Sequence, residues 1–219
     1  MTDLQPGGLH PGAVQPGEVH PGTVQPGQVL AEEAESYRIL RSRADLGGLP
    51  PLARAVIERV VHETADFEYI ADIVCHEAVL AAGVAALRRG ARVVADGPMV
   101  AAGITGYPVI CKAEDSLAAR LARTAGLTVN AAAVRLAFGE AGPGAVWVVG
   151  SAPSAVAEIM RRQVDPALVI AVPAGLSGAA QWKQALRDSG LPALSNLSER
   201  GGPVMAAAAF NALVRAARA

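Results

Sequence analysis

Residues 145–178 have the sequence AVWVVGSAPSAVAEIMRRQVDPALVIAVPAGLSG, and this stretch decides the class of fold. Its two apolar runs, 145–149 and 168–172, show no alternation with polar side chains, as is typical of strands buried on both faces of a sheet. The segment between them, 153–163, has the apolar spacing of an amphipathic helix. A strand, a helix and a second strand in this order predict two parallel strands joined by a crossover helix.

The same alternation continues on both sides of this stretch. Further strands are predicted at 92–95, 108–111 and 193–197, which makes five in all. Further helices are predicted at 31–44, 52–64, 76–89, 117–125, 130–138, 178–188 and 203–217. We therefore predict an α/β fold in which a mostly parallel five-stranded sheet is covered by helices on both faces.

The N-terminal region is different, because from residue 5 it carries the five-residue repeat QPGGL, HPGAV, QPGEV, HPGTV, QPGQV. Each Pro-Gly pair suits the two central positions of a type II turn. One apolar residue per repeat buries too little surface to offset the entropy of ordering the chain. We predict a flexible tail over 1–29 and one domain over 30–219. A metal site at His10 and His20 is a less favoured alternative, since no third ligand accompanies them.

The composition excludes several classes of protein. Apolar residues make up 52% of the 219, which rules out a disordered or fibrous chain. The net charge of -1 gives no global field to attract nucleic acid or an anionic membrane. No run reaches the ~18–20 apolar residues that a spanning helix needs. The two cysteines, Cys75 and Cys111, form no CxxC motif and fit a reducing cytoplasm. We predict a cytoplasmic protein that binds neither nucleic acid nor membranes.

Glycine-rich segments follow four of the predicted strands. They are DGP at 96–98, GSAPS at 150–154, PAGLSG at 173–178 and RGGP at 200–203. Ligands of open parallel sheets bind at the carboxyl ends of the strands, where glycine lets backbone N–H groups approach an anion. Each loop alone is explained by the needs of turns and helix caps. Four together predict a site for an extended ligand with carboxylates or phosphates. The sequence has no GxxxxGK[ST] and no helix-opening GxGxxG, so nucleotide binding has no specific support.

His62 is the histidine whose position best suits chemistry. It lies near the end of the predicted helix 52–64, where Glu58 and Arg59 share its face. The helix dipole and Glu58 favour the imidazolium and Arg59 opposes it, which predicts a group that exchanges protons near neutral pH. The alternative is that His62 only caps the last carbonyls of the helix. The sequence contains no Ser-His-Asp order with a nucleophile elbow, no HExxH and no carboxylate set spaced for a metal.

Several segments carry a family resemblance. At the start they are SYRILR at 36–41, ADL at 44–46 and RVVH at 59–62. Later they are ADGPMVAAGIT at 95–105, GSAPSA at 150–155, PAGLSGAAQWK at 173–183 and RGGPVMAAAAFNAL at 200–213. In this order they resemble the precorrin-8X methylmutases, the precorrin isomerases of cobalamin biosynthesis. The resemblance covers about residues 34–215.

The resemblance implies a flavodoxin-like α/β/α domain that forms a homodimer, with the active sites near the interface. It implies an isomerase that moves a methyl group between neighbouring carbons on ring C of precorrin-8 or cobalt-precorrin-8, giving hydrogenobyrinic acid or cobyrinic acid. The family's catalytic histidine falls on His62, which would protonate the tetrapyrrole and recover the proton. No cofactor and no metal are implied. The expected substrate-binding residues are Ser36, Arg41, Arg59, Asp96, Gly150, Ser151, Gly175, Lys183, Gly201 and Gly202.

Departures from the family pattern leave other functions open. Three residues separate Thr105 from Val109, where the family has a longer loop with an arginine, and Val129 replaces another arginine. A corrinoid-binding paralogue without turnover is therefore the first alternative. A flavodoxin-like regulatory or nucleotide-binding module is the second, although the missing phosphate motifs count against it. Alanine-rich helix faces at 130–134 and 205–209 add support for a homodimer, because they allow close approach of helices.

Overall fold

The structure, a computed structural model, describes the backbone of residues 26–219 and the side chains of residues 31–219. Residues Ser36–Ala219 form a compact unit, and the fold below is the fold of that unit. The helices are α1 Pro26–Arg43, α2 Pro51–Thr64, α3 Tyr69–Asp72, α4 Glu77–Arg88, α5 Pro98–Gly103, α6 Ser116–Ala125, α7 Val129–Ala141, α8 Pro153–Arg162, α9 Ala179–Asp188 and α10 Pro203–Arg218. The strands are β1 Ile73–Val74, β2 Val93–Ala95, β3 Ile110–Cys111, β4 Val146–Val149, β5 Leu168–Ala171 and β6 Ala193–Asn196.

The strands form one sheet in the order β1-β6-β5-β4-β2-β3. Strands β2 to β6 are parallel, and the short strand β1 pairs antiparallel with β6 at one edge. Counted from β2, the parallel strands have the spatial order 2-1-3-4-5, which is the flavodoxin-like order. The predicted mostly parallel sheet is confirmed, but it has six strands rather than five among the described residues. The extra strand has only two residues, too few to give a pattern in the sequence.

The central strands are apolar on both faces because helices cover each face. Val146 and Val148 of β4 pack in one core with α2, α4 and α10. The alternate residues Trp147 and Val149 pack in another core with α7 and α8. All four side chains are at most 1% exposed. Since successive side chains of a strand point to opposite faces, this double cover explains the unbroken apolar run.

The alanine-rich helix faces belong to these cores. Residues 131–134 of α7 and 205–209 of α10 are at most 4% exposed in the single chain. Ala132 and Ala133 pack with Ala118 and Ala122 of α6, while the alanines of α10 pack in the core that contains α2 and α4. These faces are therefore covered within the chain itself and give no support for a homodimer, which stays a prediction.

Most predicted helices are present with ends within three residues of the expected positions. The exception is α1, which begins at Pro26, inside the last repeat of the segment predicted as a tail. A proline fits the first turn of a helix because the N–H that it lacks has no helical partner there. The rest of the predicted tail, residues 1–25, lies outside the described residues. Two short helices, α3 and α5, were not predicted. None of the described helices combines the length and apolar character needed to span a bilayer.

Candidate active site

His62 lies in the last turn of α2, a helix that is fixed at both ends. At its start the carboxylate of Glu77 accepts hydrogen bonds from the N–H groups of Leu52 and Ala53, at 2.9 and 3.0 Å. At its end Ala65 adopts a left-handed conformation with φ of 54°, and its N–H donates to the carbonyl of Val61 at 2.8 Å. These contacts provide hydrogen-bond partners for backbone groups that have none within the helix, so both ends of α2 are held and the backbone position of His62 is fixed.

Two neighbouring residues of α1 fix the imidazole ring of His62. The hydroxyl oxygen of Ser36 lies 2.8 Å from Nδ1 of His62, a hydrogen-bond distance. The ring of Tyr37 stacks on the imidazole, with centroids 4.9 Å apart and an angle of 14° between the planes. The stack sets the plane of the ring and the hydrogen bond sets its rotation within that plane. Nδ1 therefore bonds a side chain of α1 rather than a terminal carbonyl of α2, which argues against the helix-cap alternative.

Arg41 continues this stack and pairs with Glu58. Its guanidinium carbon lies 5.7 Å from the centroid of the Tyr37 ring. Its Nε and Nη2 donate to the two carboxylate oxygens of Glu58 at 2.9 and 2.8 Å, and Arg54 donates to the same carboxylate at 2.9 Å. The hydrogen bond from Arg41 is the main cause that lowers the pKa of Glu58. The carboxylate of Glu58, which was predicted to share a helix face with His62, is thus paired with two arginines.

Arg59 lies three residues before His62 on the same helix. Its guanidinium pairs with the carboxylate of Glu63 at 2.5 Å, and its side chain is 20% exposed. It also lines a cavity of about 230 Å³ together with Thr105 and four residues of α10, Asn211, Val214, Arg215 and Arg218. α1 thus places Ser36 against His62, as the resemblance implied, and α2 carries Arg59 three residues before His62. Their roles toward a substrate stay predictions.

Asp96 occupies the anion site that was predicted for a ligand at the 150–152 loop. Its carboxylate is buried and accepts hydrogen bonds from the backbone N–H groups of Gly150, Ser151 and Ala152 at 2.9–3.2 Å. Burial raises the pKa of Asp96, and these N–H groups oppose the rise. Asp96 and Gly150 follow strands β2 and β4, which flank the point where the strand order reverses. The chain itself therefore supplies an anion to this loop, at the place in the sheet where doubly wound folds often bind ligands.

The other predicted loops also use their polar groups within the chain. The N–H of Gly175 donates to the carbonyl of Glu199 at 2.9 Å, and the N–H of Gly202 donates to the carbonyl of Val172 at 2.7 Å. Gly201 approaches the backbone so closely that any side chain there would collide with the carbonyl oxygen of Val172. The N–H groups of Gly150, Ser151, Gly175 and Gly202 thus have acceptors within the chain, and substrate binding by these residues stays a prediction.

Lys183, another predicted substrate contact, is a buried clamp on the loop before α10. Its ammonium group donates to the side-chain oxygen of Asn196 at 2.8 Å and to the carbonyls of Ser198 and Arg200 at 2.5 and 2.9 Å. Burial lowers the pKa of Lys183 to about 8. Three acceptors match the three donors of an ammonium group, so Lys183 holds this loop in place rather than facing solvent.

The carboxyl edge of the sheet carries large apolar side chains that the sequence analysis missed. Met99, Leu176, Leu197 and Val204 are 68%, 94%, 51% and 54% exposed, and each follows the carboxyl end of a strand. We call these four residues the apolar rim. Trp182 of α9 is 37% exposed and lines a separate cavity of about 420 Å³ with Thr128, Ser154 and Arg161. Their position after the ends of strands is the signal in the sequence that could have identified them.

Comparisons with known proteins agree with the early resemblance. A family profile for precorrin-8X methylmutase matches residues 32–216. The cobalt-precorrin-8 methylmutase of Salmonella typhimurium is 35% identical over 195 residues, which are 83% of this chain and 92% of that protein. The precorrin-8X methylmutase of Pseudomonas aeruginosa is 35% identical over 191 residues, 82% of this chain and 91% of that protein. The chain belongs to the precorrin-8X methylmutase family.

Solved structures of precorrin-8X methylmutases have the same fold. One from Thermus thermophilus superposes with a TM-score of 0.78 at 32% identity, covering 86% of this chain and 96% of that chain. A precorrin-8X methylmutase related protein superposes with a TM-score of 0.75 at 26% identity and covers 82% of this chain. The three-layer α/β/α architecture predicted for a precorrin-8X methylmutase is therefore confirmed.

Proposed function

We propose that this chain is an isomerase that moves a methyl group on ring C of a precorrin-8, with His62 as the group that gives and recovers a proton. The observation that carries the proposal is the fixed imidazole of His62, held by Ser36 and Tyr37 in a chain of the methylmutase family. The relatives named for cobalt-precorrin-8 and for precorrin-8X reach the same identity, 35%. The proposed substrate is therefore the tetrapyrrole that both names share, with or without cobalt.

The hydroxyl of Ser36 suits a histidine that changes its protonation state. A hydroxyl both donates and accepts, so it can donate to Nδ1 of a neutral ring or accept from the Nδ1–H of an imidazolium. The 2.8 Å contact thus persists in both states. Nε2 is the ring nitrogen that Ser36 does not engage, and we assign the proton transfer to it. The imidazole then needs no reorientation between giving the proton and taking it back.

The proposed reaction balances without another reactant. Nε2 of His62 donates a proton to the tetrapyrrole, one carbon–methyl bond breaks while the neighbouring carbon–methyl bond forms, and the proton returns to Nε2. The product is an isomer of the substrate, so no electron or group leaves the site. The polar groups required are one proton donor and cations for the carboxylates of the substrate. Arg59, next to His62 on α2, is the cation best placed for this second task.

We further propose a cytoplasmic homodimer in which a second copy covers the apolar rim. Leu176 is 94% exposed, and large exposed apolar side chains on one edge favour an interface. The thiols of Cys75 and Cys111 are free, which suits a reducing compartment. Light scattering of the Leu176→Asp protein should give the mass of one chain, against two for the unchanged protein. One chain for both, at micromolar concentration, would contradict the dimer.

The deciding experiment follows the visible spectrum of precorrin-8 in a single turnover with the unchanged protein, His62→Ala and His76→Ala. His76 is an exposed histidine that forms no side-chain cap for α4, and its substitution is the matched control. We expect conversion by the unchanged protein and by His76→Ala. His62→Ala should bind the chromophore and convert it about 10²–10⁴-fold more slowly.

Three other outcomes would count against the proposal. A binding spectrum without conversion by the unchanged protein would favour the corrinoid-binding paralogue. A spectrum that does not change at all would reject a tetrapyrrole site. An unchanged rate in a folded His62→Ala protein would reject the proton transfer proposed for His62 while leaving the reaction itself in place.

A further inference from the structure

Four side chains of α1 and α2 form a closed set of contacts that includes His62. The ring of Tyr37 stacks on the imidazole of His62, with the centroids 4.9 Å apart. The guanidinium carbon of Arg41 lies 5.7 Å from the centroid of the Tyr37 ring. Nε and Nη2 of Arg41 donate to the carboxylate of Glu58 at 2.9 and 2.8 Å, which leads back to the helix of His62. We call these four residues the α1–α2 cluster.

The spacing of the residues along each helix explains why the α1–α2 cluster closes. Tyr37 and Arg41 are four residues apart on α1, and Glu58 and His62 are four residues apart on α2. Side chains with this spacing lie on one face of a helix, one turn from each other. The contacts of Tyr37 with His62 and of Arg41 with Glu58 are therefore one turn apart. Two such contacts oppose both sliding and rotation of α1 against α2.

Glu58 is the anchor of the α1–α2 cluster. Its side chain is only 8% exposed, and Arg54 donates to the same carboxylate at 2.9 Å. Two parallel hydrogen bonds between a guanidinium and a carboxylate fix the plane of the guanidinium, so Glu58 fixes that of Arg41. A fixed guanidinium attracts an aromatic ring through a cation–π contact. Tyr37 is only partly buried, and this contact limits the rotamers that are open to its ring.

We infer that Arg41 is a positioning residue, which holds the ring of Tyr37 and through it the imidazole of His62, rather than a group that binds the substrate. The inference rests on the proposed function, because the proton transfer that Arg41 serves belongs to it. A proton moves efficiently only when its donor lies within hydrogen-bond reach of the acceptor, and an imidazole that can tilt spends less time in that geometry. Loss of Arg41 should therefore slow the chemical step and leave the affinity for the tetrapyrrole unchanged.

The first test compares Arg41→Gln with Arg43→Gln. Arg43 is the matched control, because it is also an exposed arginine near the end of α1 but lies over the ring of Phe67. In single turnovers with protein in excess over precorrin-8, the rate at saturation measures the chemical step and its concentration dependence gives the Kd. We expect Arg41→Gln to convert precorrin-8 about three- to ten-fold more slowly, with a Kd within about two-fold of the unchanged value. Arg43→Gln should change neither quantity.

A substrate contact, the role expected for Arg41 from the sequence, predicts the opposite result. Removing a guanidinium that pairs with a carboxylate of the substrate should raise the Kd about ten-fold and leave the rate at saturation unchanged. That pattern in Arg41→Gln would overturn the inference.

Variants of Tyr37 test whether Arg41 acts through this ring. Tyr37→Phe keeps the stacked ring and should react within about two-fold of the unchanged rate, whereas Tyr37→Leu should be about ten-fold slower or more. The double variant, Tyr37→Leu with Arg41→Gln, should be no slower than Tyr37→Leu alone, because Arg41 then has no ring to hold. Losses that multiply in the double variant would show that Arg41 acts by another route and would overturn the inference.

The nuclear magnetic resonance signal of His62 gives a test without turnover. The chain has four histidines, and the His62→Ala protein identifies the Cε1 proton of His62 among them. A ring stacked on the imidazole shields this proton. At the alkaline end of a pH titration, where histidines are neutral, Tyr37→Leu should move the signal downfield and Arg41→Gln should move it part of the way. Arg43→Gln should leave it in place.

The two measurements together separate the inference from the proposed function. If the unchanged protein converts precorrin-8 and Arg41→Gln converts it equally fast, the inference is overturned and the methyl shift stands. If Arg41→Gln moves the signal of His62 but the unchanged protein never converts precorrin-8, the proposed reaction is rejected and the positioning of the imidazole by Arg41 stands.

Discussion

The loop after β4 and the end of α2 both present polar groups suited to a charged ligand, but they use these groups in opposite ways. At the loop, three backbone N–H groups donate to the carboxylate of Asp96, so the chain itself provides both the donors and their acceptor. At the end of α2, His62 has one ring nitrogen bound to Ser36, a partner that serves either protonation state. A polar group whose partners are all internal stabilises the fold. A group with an adaptable partner remains available for chemistry.

Replacing Asp96 should give the largest effect on stability. Asp96→Ala leaves the buried N–H group of Gly150 and the part-buried N–H groups of Ser151 and Ala152 without their acceptor, which should lower the free energy of unfolding by about 3–5 kcal/mol. Asp96→Asn keeps one acceptor oxygen, so its free energy of unfolding should fall by less than that of Asp96→Ala. Urea denaturation measures both values. The rate of single-turnover conversion per folded molecule should be unchanged in Asp96→Asn. A rate 100-fold lower in that variant would show that Asp96 takes part in the reaction and does not only stabilise the fold.

Lys183, like Asp96, bonds only to groups that stabilise the fold, and the pH dependence of stability tests this role. Its pKa is lowered to about 8 in the folded chain, against 10.5 for an ordinary lysine. Between these two pH values the unfolded chain binds a proton that the folded chain does not. The free energy of unfolding of the unchanged protein should therefore rise with pH relative to Lys183→Met, with a slope of at most about 1.4 kcal/mol per pH unit.

Urea denaturation of both proteins at several pH values from 7.5 to 10.5 measures the Lys183 effect. If the free energy of unfolding of the unchanged protein, relative to Lys183→Met, fell as the pH rises, the three hydrogen bonds would stabilise the charged ammonium group more than its burial destabilises it. The rate of the methyl shift should not follow this titration if Lys183 only holds the loop.

Ser36 should show the reverse pattern of Asp96, a change in rate with little change in stability. Ser36→Ala removes the partner of Nδ1, so we expect a single-turnover rate about ten-fold lower. The free energy of unfolding should change by less than about 1 kcal/mol, since one partly exposed hydrogen bond is lost. Ser42→Ala is the control, because Ser42 is an exposed serine of α1 whose hydroxyl donates to the carbonyl of Ile39. Equal rates for Ser36→Ala and Ser42→Ala would remove Ser36 from the mechanism.

Deleting residues 1–25 should give the smallest effect. The Pro-Gly repeat has no face to bury, and the compact unit comprises Ser36–Ala219. We expect a change of less than about 0.5 kcal/mol in the free energy of unfolding and an unchanged conversion rate. Calorimetry on the shortened and full chains measures the first quantity. A melting temperature lower by ten degrees would show that the repeat contributes to the folded domain.

The architecture was predictable where a pattern extended over many residues. The run 145–178 gave β4, α8 and β5 almost to their ends, because a strand buried on both faces has an unmistakable apolar composition. Strand β1 was missed because its two residues pair with Ser195 and Asn196 through backbone geometry alone. The burial of residues 131–134 within the chain could not be predicted either, since small apolar side chains suit the core of a chain and an interface between chains equally well.

The candidate site was predictable only in part. The spacing of Arg59 and His62 on one helix follows from the sequence, and the resemblance added Ser36. That Tyr37 stacks on the imidazole depends on how α1 packs against α2, which no local pattern records. The hydrogen bond between Gly150 and Asp96 could not be predicted, because the two residues lie 54 positions apart and meet only after β2 and β4 have paired. A glycine-rich loop predicts a site that binds an anion, but its sequence does not tell whether that anion is a ligand or a carboxylate of the same chain.

The two tryptophans give this protein a pair of optical reporters with separate tasks. Trp147 is 1% exposed in the middle of β4, so its emission follows the integrity of the sheet. Trp182 is 37% exposed beside a cavity on the outer surface of α9, so its emission follows contact with solvent or a ligand. Replacing either one with phenylalanine leaves a single tryptophan, whose emission can be excited apart from that of the three tyrosines. Unfolding and occupancy of that surface can then be timed in parallel samples, without attaching a dye.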